Sequence, residues 1–184
     1  RIIRSLGGHL ELGRALSGQD SLLLNETMSV SGSTAEDQTW LQNHTFAVER
    51  IMAYSMPTQM PIDGFISQEF YEDHLFPARS HRGIDIAGKM GTPVKAAAAG
   101  RVVFSGWTPY FGNCLFLAHR GGYLTFYGHN QINLKAVREE VMRGEPIALL
   151  GTSGRSSAPH LHFEIWKDGV PVDPREFVQS EPSG

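Results

Sequence analysis

From Pro61 onward the chain never sustains the kind of apolar stripe that holds a long helix against a core. Short apolar or alternating runs at 93–104, 113–119, 122–128, 145–150, 159–166 and 170–172 succeed one another instead. Glycine, proline or asparagine separates most of them, as at Gly106, Pro109, Gly112-Asn113 and Gly121-Gly122. Brief runs punctuated by such residues read as strands and turns. With no capped helical stripe between them, the expectation is a mainly β fold, an antiparallel sheet or sandwich, rather than βαβ units.

The first third of the chain has a different texture. Ile2, Ile3, Leu6, Leu10, Leu12 and Leu16 give a rough helical stripe, weakened by Gly7, Gly8 and Gly13. A polar, turn-rich stretch covers 17–33. Ser33-Thr34-Ala35-Glu36 then forms a capping box for a helix carrying Leu41, Val48, Ile51 and Met52 on one side. Met56-Pro57 ends it, because the residue before a proline is pushed out of the α region. The expected organisation is a short N-terminal helical extension over 1–58, a β domain over 59–178 and a loose tail over 179–184.

Bulk composition narrows the function. Hydrophobic residues make up 41% of the chain and charged ones 19%, ordinary for a globular protein with a core. A net charge of −3 without a lysine or arginine run argues against a nucleic-acid partner. Cys114 is the only cysteine, so neither an intrachain disulfide nor a thiolate metal cluster can form; within Cys114-Leu115-Phe116-Leu117 it reads as a small buried hydrophobe. The longest apolar stretches fall far short of a membrane span. The chain begins at Arg1 rather than Met and reads as processed or trimmed, so any export signal or membrane anchor is expected upstream.

Metal-capable side chains concentrate in two strings, His81-Arg82-Gly83-Ile84-Asp85 and His160-Leu161-His162. A straight strand would hold the Cα atoms of His81 and Asp85 roughly 13 Å apart, so sharing an ion requires a bend, for which Gly83 is the cheapest place. Alternation sets His160, His162 and Glu164 on one strand face and Leu161, Phe163 and Ile165 on the other. Either histidine, or both, can then reach a metal, and Glu164 reads equally as a group orienting a histidine or as a surface carboxylate. In Tyr123-Leu124-Thr125-Phe126-Tyr127-Gly128-His129, the same rule groups Tyr123, Thr125, Tyr127 and His129 on a face suited to a cleft wall. His119 reads as structural or exposed. His74, in a polar loop, and His9 and His44, in the helical part, read as solvent-facing.

Each string is weak alone. Their order and approximate spacing, with Gly91-Thr92-Pro93-Val94, Ala96-Ala97-Ala98-Ala99-Gly100 and Pro171-Val172-Asp173-Pro174, resemble the lysostaphin-type zinc metallopeptidases, the LytM-domain or M23 family. That family cuts peptide bridges in bacterial cell walls. The resemblance covers roughly residues 59–178. It implies one zinc ion held by His81, Asp85 and His162, with His129 and His160 flanking the water that attacks the peptide. On the residues alone the choice between His160 and His162 stays open, as does the division of proton work between His129 and His160.

The resemblance further implies a zinc endopeptidase of the cell envelope, periplasmic or extracellular, acting on peptidoglycan stem peptides or cross-bridges. The alternative is a silent or auto-inhibited module that binds the wall or activates amidases. Degenerate relatives lack some of the five site residues, and this chain keeps all five. It departs from the family pattern at Phe70-Tyr71-Glu72-Asp73, where relatives often carry Phe-Gly-x-Arg, and at Ala158, where a glycine is usual. Many relatives place a coiled coil ahead of the domain, whereas residues 1–58 carry no sustained heptad. Oligomeric state is not legible.

Overall fold

The computed structural model of the protein describes residues 54–178. The stripes and capping box expected before residue 54, with His9 and His44, lie outside the described residues, as does the tail over 179–184. Tyr54 and Ser55 are helical and the helix stops at a bend at Met56, before Pro57, where proline was expected to end it. Residues 54–59 are tied to the segment leading into the long strands: Ala99 N–H donates to the Tyr54 carbonyl at 3.0 Å and Gln59 N–H to that of Ala97 at 3.1 Å.

The architecture is mainly antiparallel β. Strands run in chain order as β1 (Phe65–Gln68), β2 (Ile84–Ala87), β3 (Pro93–Lys95), β4 (Gly100–Thr108), β5 (Gly112–Ala118), β6 (Tyr123–Asn133), β7 (Glu140–Val141), β8 (Pro146–Leu150), β9 (His160–Lys167) and β10 (Val170–Val172). The main sheet has the order β1-β2-β9-β6-β5-β4-β7; β10 adds to β9, and β8 joins the far end of β6 to β3. Short turn-punctuated runs produce this pattern because antiparallel neighbours need only a tight connection.

The two faces of the sheet have different duties, as alternation requires of an antiparallel sheet packed on one side. Ile84 and Ile86 of β2, Leu161, Phe163 and Ile165 of β9, Tyr127 of β6, and Leu115 and Leu117 of β5 all point inward. They pack with Val94, Ala96, Ala97, Ile147, Ala148 and Leu150 from the β3–β8 side in one core. The intervening residues of the same strands face a groove. There Phe104, Phe116 and Phe126 are neighbours in register across β4, β5 and β6, with ring centroids 6.3 and 4.5 Å apart. Next to them on β9 stands Glu164, opposite Phe126, and then His162, opposite Gly128.

Cys114 is buried, as its apolar neighbours implied. His119 is also buried and structural: its Nδ1–H donates to the Ala99 carbonyl at 2.9 Å, and Nε2 lies 2.7 Å from the Thr125 hydroxyl. Beyond it, Thr125 meets Tyr127 at 3.0 Å, and Tyr127 Oη accepts the Ala97 N–H at 2.9 Å. The Thr125 and Tyr127 side chains therefore face the core. That corrects the expectation that this face of β6 forms a cleft wall.

Candidate metal centre and its cleft

Asp85 and His162 face each other across the β2–β9 ladder, and His81 approaches from the loop before β2. A backbone bridge to Tyr71 fixes His81, and the chain bends at Gly83 to bring it back over Asp85. Gly83 has a second duty. A Cβ there would stand 2.3 Å from the Phe163 carbonyl oxygen, so only glycine lets β9 come this close.

The three side chains converge. Asp85 Oδ1 lies 2.8 Å from His162 Nδ1 and 3.1 Å from His81 Nε2, and those nitrogens are 3.1 Å apart. Ligand atoms around tetrahedral zinc, at bonds of ~2.0–2.1 Å, stand about 3.3 Å from one another. The spacing therefore fits a single small ion. Two imidazoles with one carboxylate favour zinc or a similar transition metal over calcium or magnesium, which take oxygen ligands.

The other ring nitrogens are fixed as metal-binding histidines need them to be. His81 Nδ1–H donates to the Glu69 carbonyl at 2.7 Å, which turns Nε2 to the centre. His162 Nε2–H donates to Glu164 at 2.9 Å, which turns Nδ1 to it. Glu164 is buried and accepts the Trp166 indole N–H at 2.6 Å through its other oxygen. Of its two readings, the orienting group is the one the structure shows.

Electrostatics reflect this packing. Burial alone would raise the Asp85 carboxyl, but the hydrogen bonds and positive charge of His162 and His81 hold it well below the usual carboxylate range. Burial alone would lower His162; its bonds to Asp85 and Glu164, with their charge, push it up to about 9.

His129 and His160 stand together beside this centre, ring centroids 4.7 Å apart. His160 Nδ1–H donates to the Ala158 carbonyl at 2.8 Å and His129 Nδ1–H to that of Ser153 at 2.8 Å, leaving each Nε2 free to accept. His160 Nε2 lies 3.7 Å from Asp85 Oδ2, farther out than the three convergent atoms. Burial, more than any other influence, lowers the His129 pKa and keeps the ring neutral.

His129 reaches the site through a backbone irregularity. Its φ is +63°, rare for a residue with a side chain. The β5–β6 register also shifts between Asn113 and Leu115, opposite this stretch. Such a bulge switches a side chain to the other face of its strand. His129 thereby leaves the inward face of Tyr127 for the outward one of His162.

Phe111 is a site residue that sequence reasoning missed. Its carbonyl accepts the His129 N–H at 2.8 Å, and its ring stacks on His162 at 5.1 Å. Gly128 leaves it room, since a Cβ there would lie 3.3 Å from the Phe111 ring. The signal available was Pro109-Tyr110-Phe111-Gly112, an aromatic pair inside a turn. His74 is exposed and forms no part of the centre.

The chain is 39% identical over 108 residues to the murein hydrolase activator EnvC of Escherichia coli, covering 59% of this chain and 26% of EnvC. It is 36% identical over 114 residues to the peptidoglycan DD-endopeptidase ShyC of Vibrio cholerae, covering 60% and 26% respectively. The chain thus spans about a quarter of the length of these curated relatives. A solved zinc-containing peptidase from Vibrio cholerae superposes with a TM-score of 0.57 at 35% identity, covering 63% of this chain and 38% of that one. The model of peptidase family M23 matches residues 79–174, the span from the loop before His81 to the turn after β10, and the chain belongs to that family.

Proposed function

We propose that the chain is a zinc-dependent endopeptidase of the cell envelope that hydrolyses peptide bonds in peptidoglycan stems or cross-bridges. The observation that carries this reading is the convergence of His81 Nε2, Asp85 Oδ1 and His162 Nδ1, with two more histidines beside them whose hydrogen bonds run through Nδ1. His81, Asp85 and His162 would hold the ion. When bound, zinc supplies Lewis-acid chemistry, acidifying a water and polarising the scissile carbonyl.

The rest of the work falls to the protein. His129, kept neutral by burial, accepts a proton at Nε2 while its Nδ1–H stays anchored on Ser153. His160, held in the same tautomer by Ala158, stands across from it to orient the water, and whichever ring has taken the water's proton at Nε2 returns that proton to the departing amine. Either ring can perform either transfer, so we assign the pair jointly. Phe111 and Phe126, packed together at 4.8 Å, cover one side of His162 and keep bulk water from its ring.

The similarity to EnvC favours a second reading, a non-catalytic module that activates other wall hydrolases. Zinc-loaded protein incubated with purified cross-linked sacculi, with mass spectrometry of the released muropeptides, separates the two. New peptide termini made by the wild type and lost in His129→Asn support the peptidase. Asparagine tolerates the positive φ at this position, so that variant tests the ring and not the backbone. Zinc bound at one equivalent without products would favour the activator.

A further inference from the structure

Arg82 sits directly after His81 and lines the groove of about 780 Å³ that His81 and His162 also line. Its guanidinium lies over the Trp166 ring, 5.9 Å from the centroid, and no carboxylate pairs with it among the described residues. The indole beneath it is itself fixed, because Trp166 Nε1–H is bound to Glu164. Among the described residues Glu164 is the only acidic one lining this groove, and both its oxygens are engaged, one by His162 and the other by Trp166. The groove therefore presents, beside the metal centre, a guanidinium that lies over an indole and makes no ion pair among the described residues, together with an apolar floor that Phe104, Phe116 and Phe126 line.

Resting on the peptidase reading, we infer that Arg82 is a specificity-determining residue: it receives a carboxylate of the peptide substrate, whose aliphatic portion lies on the phenylalanine floor. A planar guanidinium takes a carboxylate through two parallel N–H bonds, and its seat on Trp166 lowers the entropy lost in doing so. Arg82 and Trp166 also border a second cavity of about 320 Å³. Glu72 and Asp73 line that one and repel an anion, so charge complementarity selects the larger groove. The chemistry that matches the groove is thus a carboxylate borne by a peptide with an aliphatic portion.

Muropeptide dimers carrying free carboxylates, and the same dimers with those carboxylates converted to carboxamides, are the probes. Calorimetry on chelator-treated protein measures binding, and mass spectrometry on zinc-loaded protein measures cleavage. Wild type is expected to bind the carboxylate form roughly tenfold more tightly than the amide. Arg82→Met should bring the ratio close to one, and Arg82→Lys should keep part of it, having the charge without the fork. Equal binding of the two forms by wild type, or a ratio that Arg82→Met leaves unchanged, overturns the inference. If Arg82→Met does not fold, Arg82→Lys decides, and an undiminished ratio there refutes recognition by the fork. Absence of cleavage with the binding ratio intact would sink the peptidase reading alone; cleavage of both forms without a binding ratio would sink the role of Arg82 alone.

Discussion

Asp85 and His162 are direct partners in the β2–β9 ladder, and their side chains meet at 2.8 Å on the face opposite the core. Cross-strand partners have their Cβ atoms held at ~5 Å by the sheet itself, so two of the three metal-capable groups are positioned by backbone pairing. Asp85 is the only anion among them. Asp85→Ala should leave Ile84 and Ile86 packed and the fold intact, yet reduce zinc retained after dialysis to less than about a tenth of wild type. Elemental analysis gives the stoichiometry, and one full equivalent in the variant would refute the assignment.

Gly83 supplies the other half of this geometry. A methyl group there would meet the Phe163 carbonyl at 2.3 Å and Glu164 Cγ at 2.9 Å, and the first of these is backbone that cannot swing aside. Gly83→Ala is therefore expected to push β2 from β9 and to destabilise the domain by at least about 2 kcal/mol. Urea denaturation measures the loss. A midpoint within experimental error of wild type would show that the strands adjust and that glycine serves only the bend.

Glu164 touches no metal-capable atom other than His162 Nε2, yet it sets which nitrogen of that ring faces the centre. Glu164→Gln preserves shape and removes the charge that raises His162 basicity. Loss of such an outer partner costs roughly 10–100-fold in metal affinity, and competition against a chromophoric chelator reads the change. An unaltered affinity would leave Glu164 as no more than an anchor for the Trp166 indole.

The strands were legible where their hydrophobic pattern and their turns agree: β5, β8, β9 and β10 fall on runs visible in the sequence, the run 93–104 holds β3 and the start of β4, and β6 begins on its run but carries on to Asn133. β1, Phe-Ile-Ser-Gln, was not. It is an edge strand with little buried surface, so nothing selects an apolar alternation in it. The metal-capable strings could be found from residue types, but their assignment came from resemblance, since spacing alone does not bend a chain at Gly83. His129 shows the limit most clearly. Period-two logic groups it with Tyr127, whereas a positive φ and a register shift move it to the other face. Both are backbone events decided by pairing with a neighbouring strand, and a single segment carries no record of them.

His119 offers a test of the interior that is independent of the metal centre. Burial lowers its pKa below the value of about 6.5 expected in the unfolded chain, more than the bond to the Ala99 carbonyl can offset. Above that pH neither state carries the proton, and His119 adds no pH dependence. As pH falls below it the unfolded chain is protonated first, so stability is lost progressively toward the folded-state pKa. His162, pushed up to about 9, acts in the opposite sense over a higher window, which makes the comparison between variant and wild type the informative one. His119→Gln keeps a donor and an acceptor near Ala99 and Thr125 but cannot titrate. Its unfolding free energy should fall less steeply than that of wild type between about pH 7 and pH 5. Chemical denaturation of both proteins at several pH values measures the two slopes, and identical slopes would show that His119 is protonated as readily in the folded protein as in the unfolded chain.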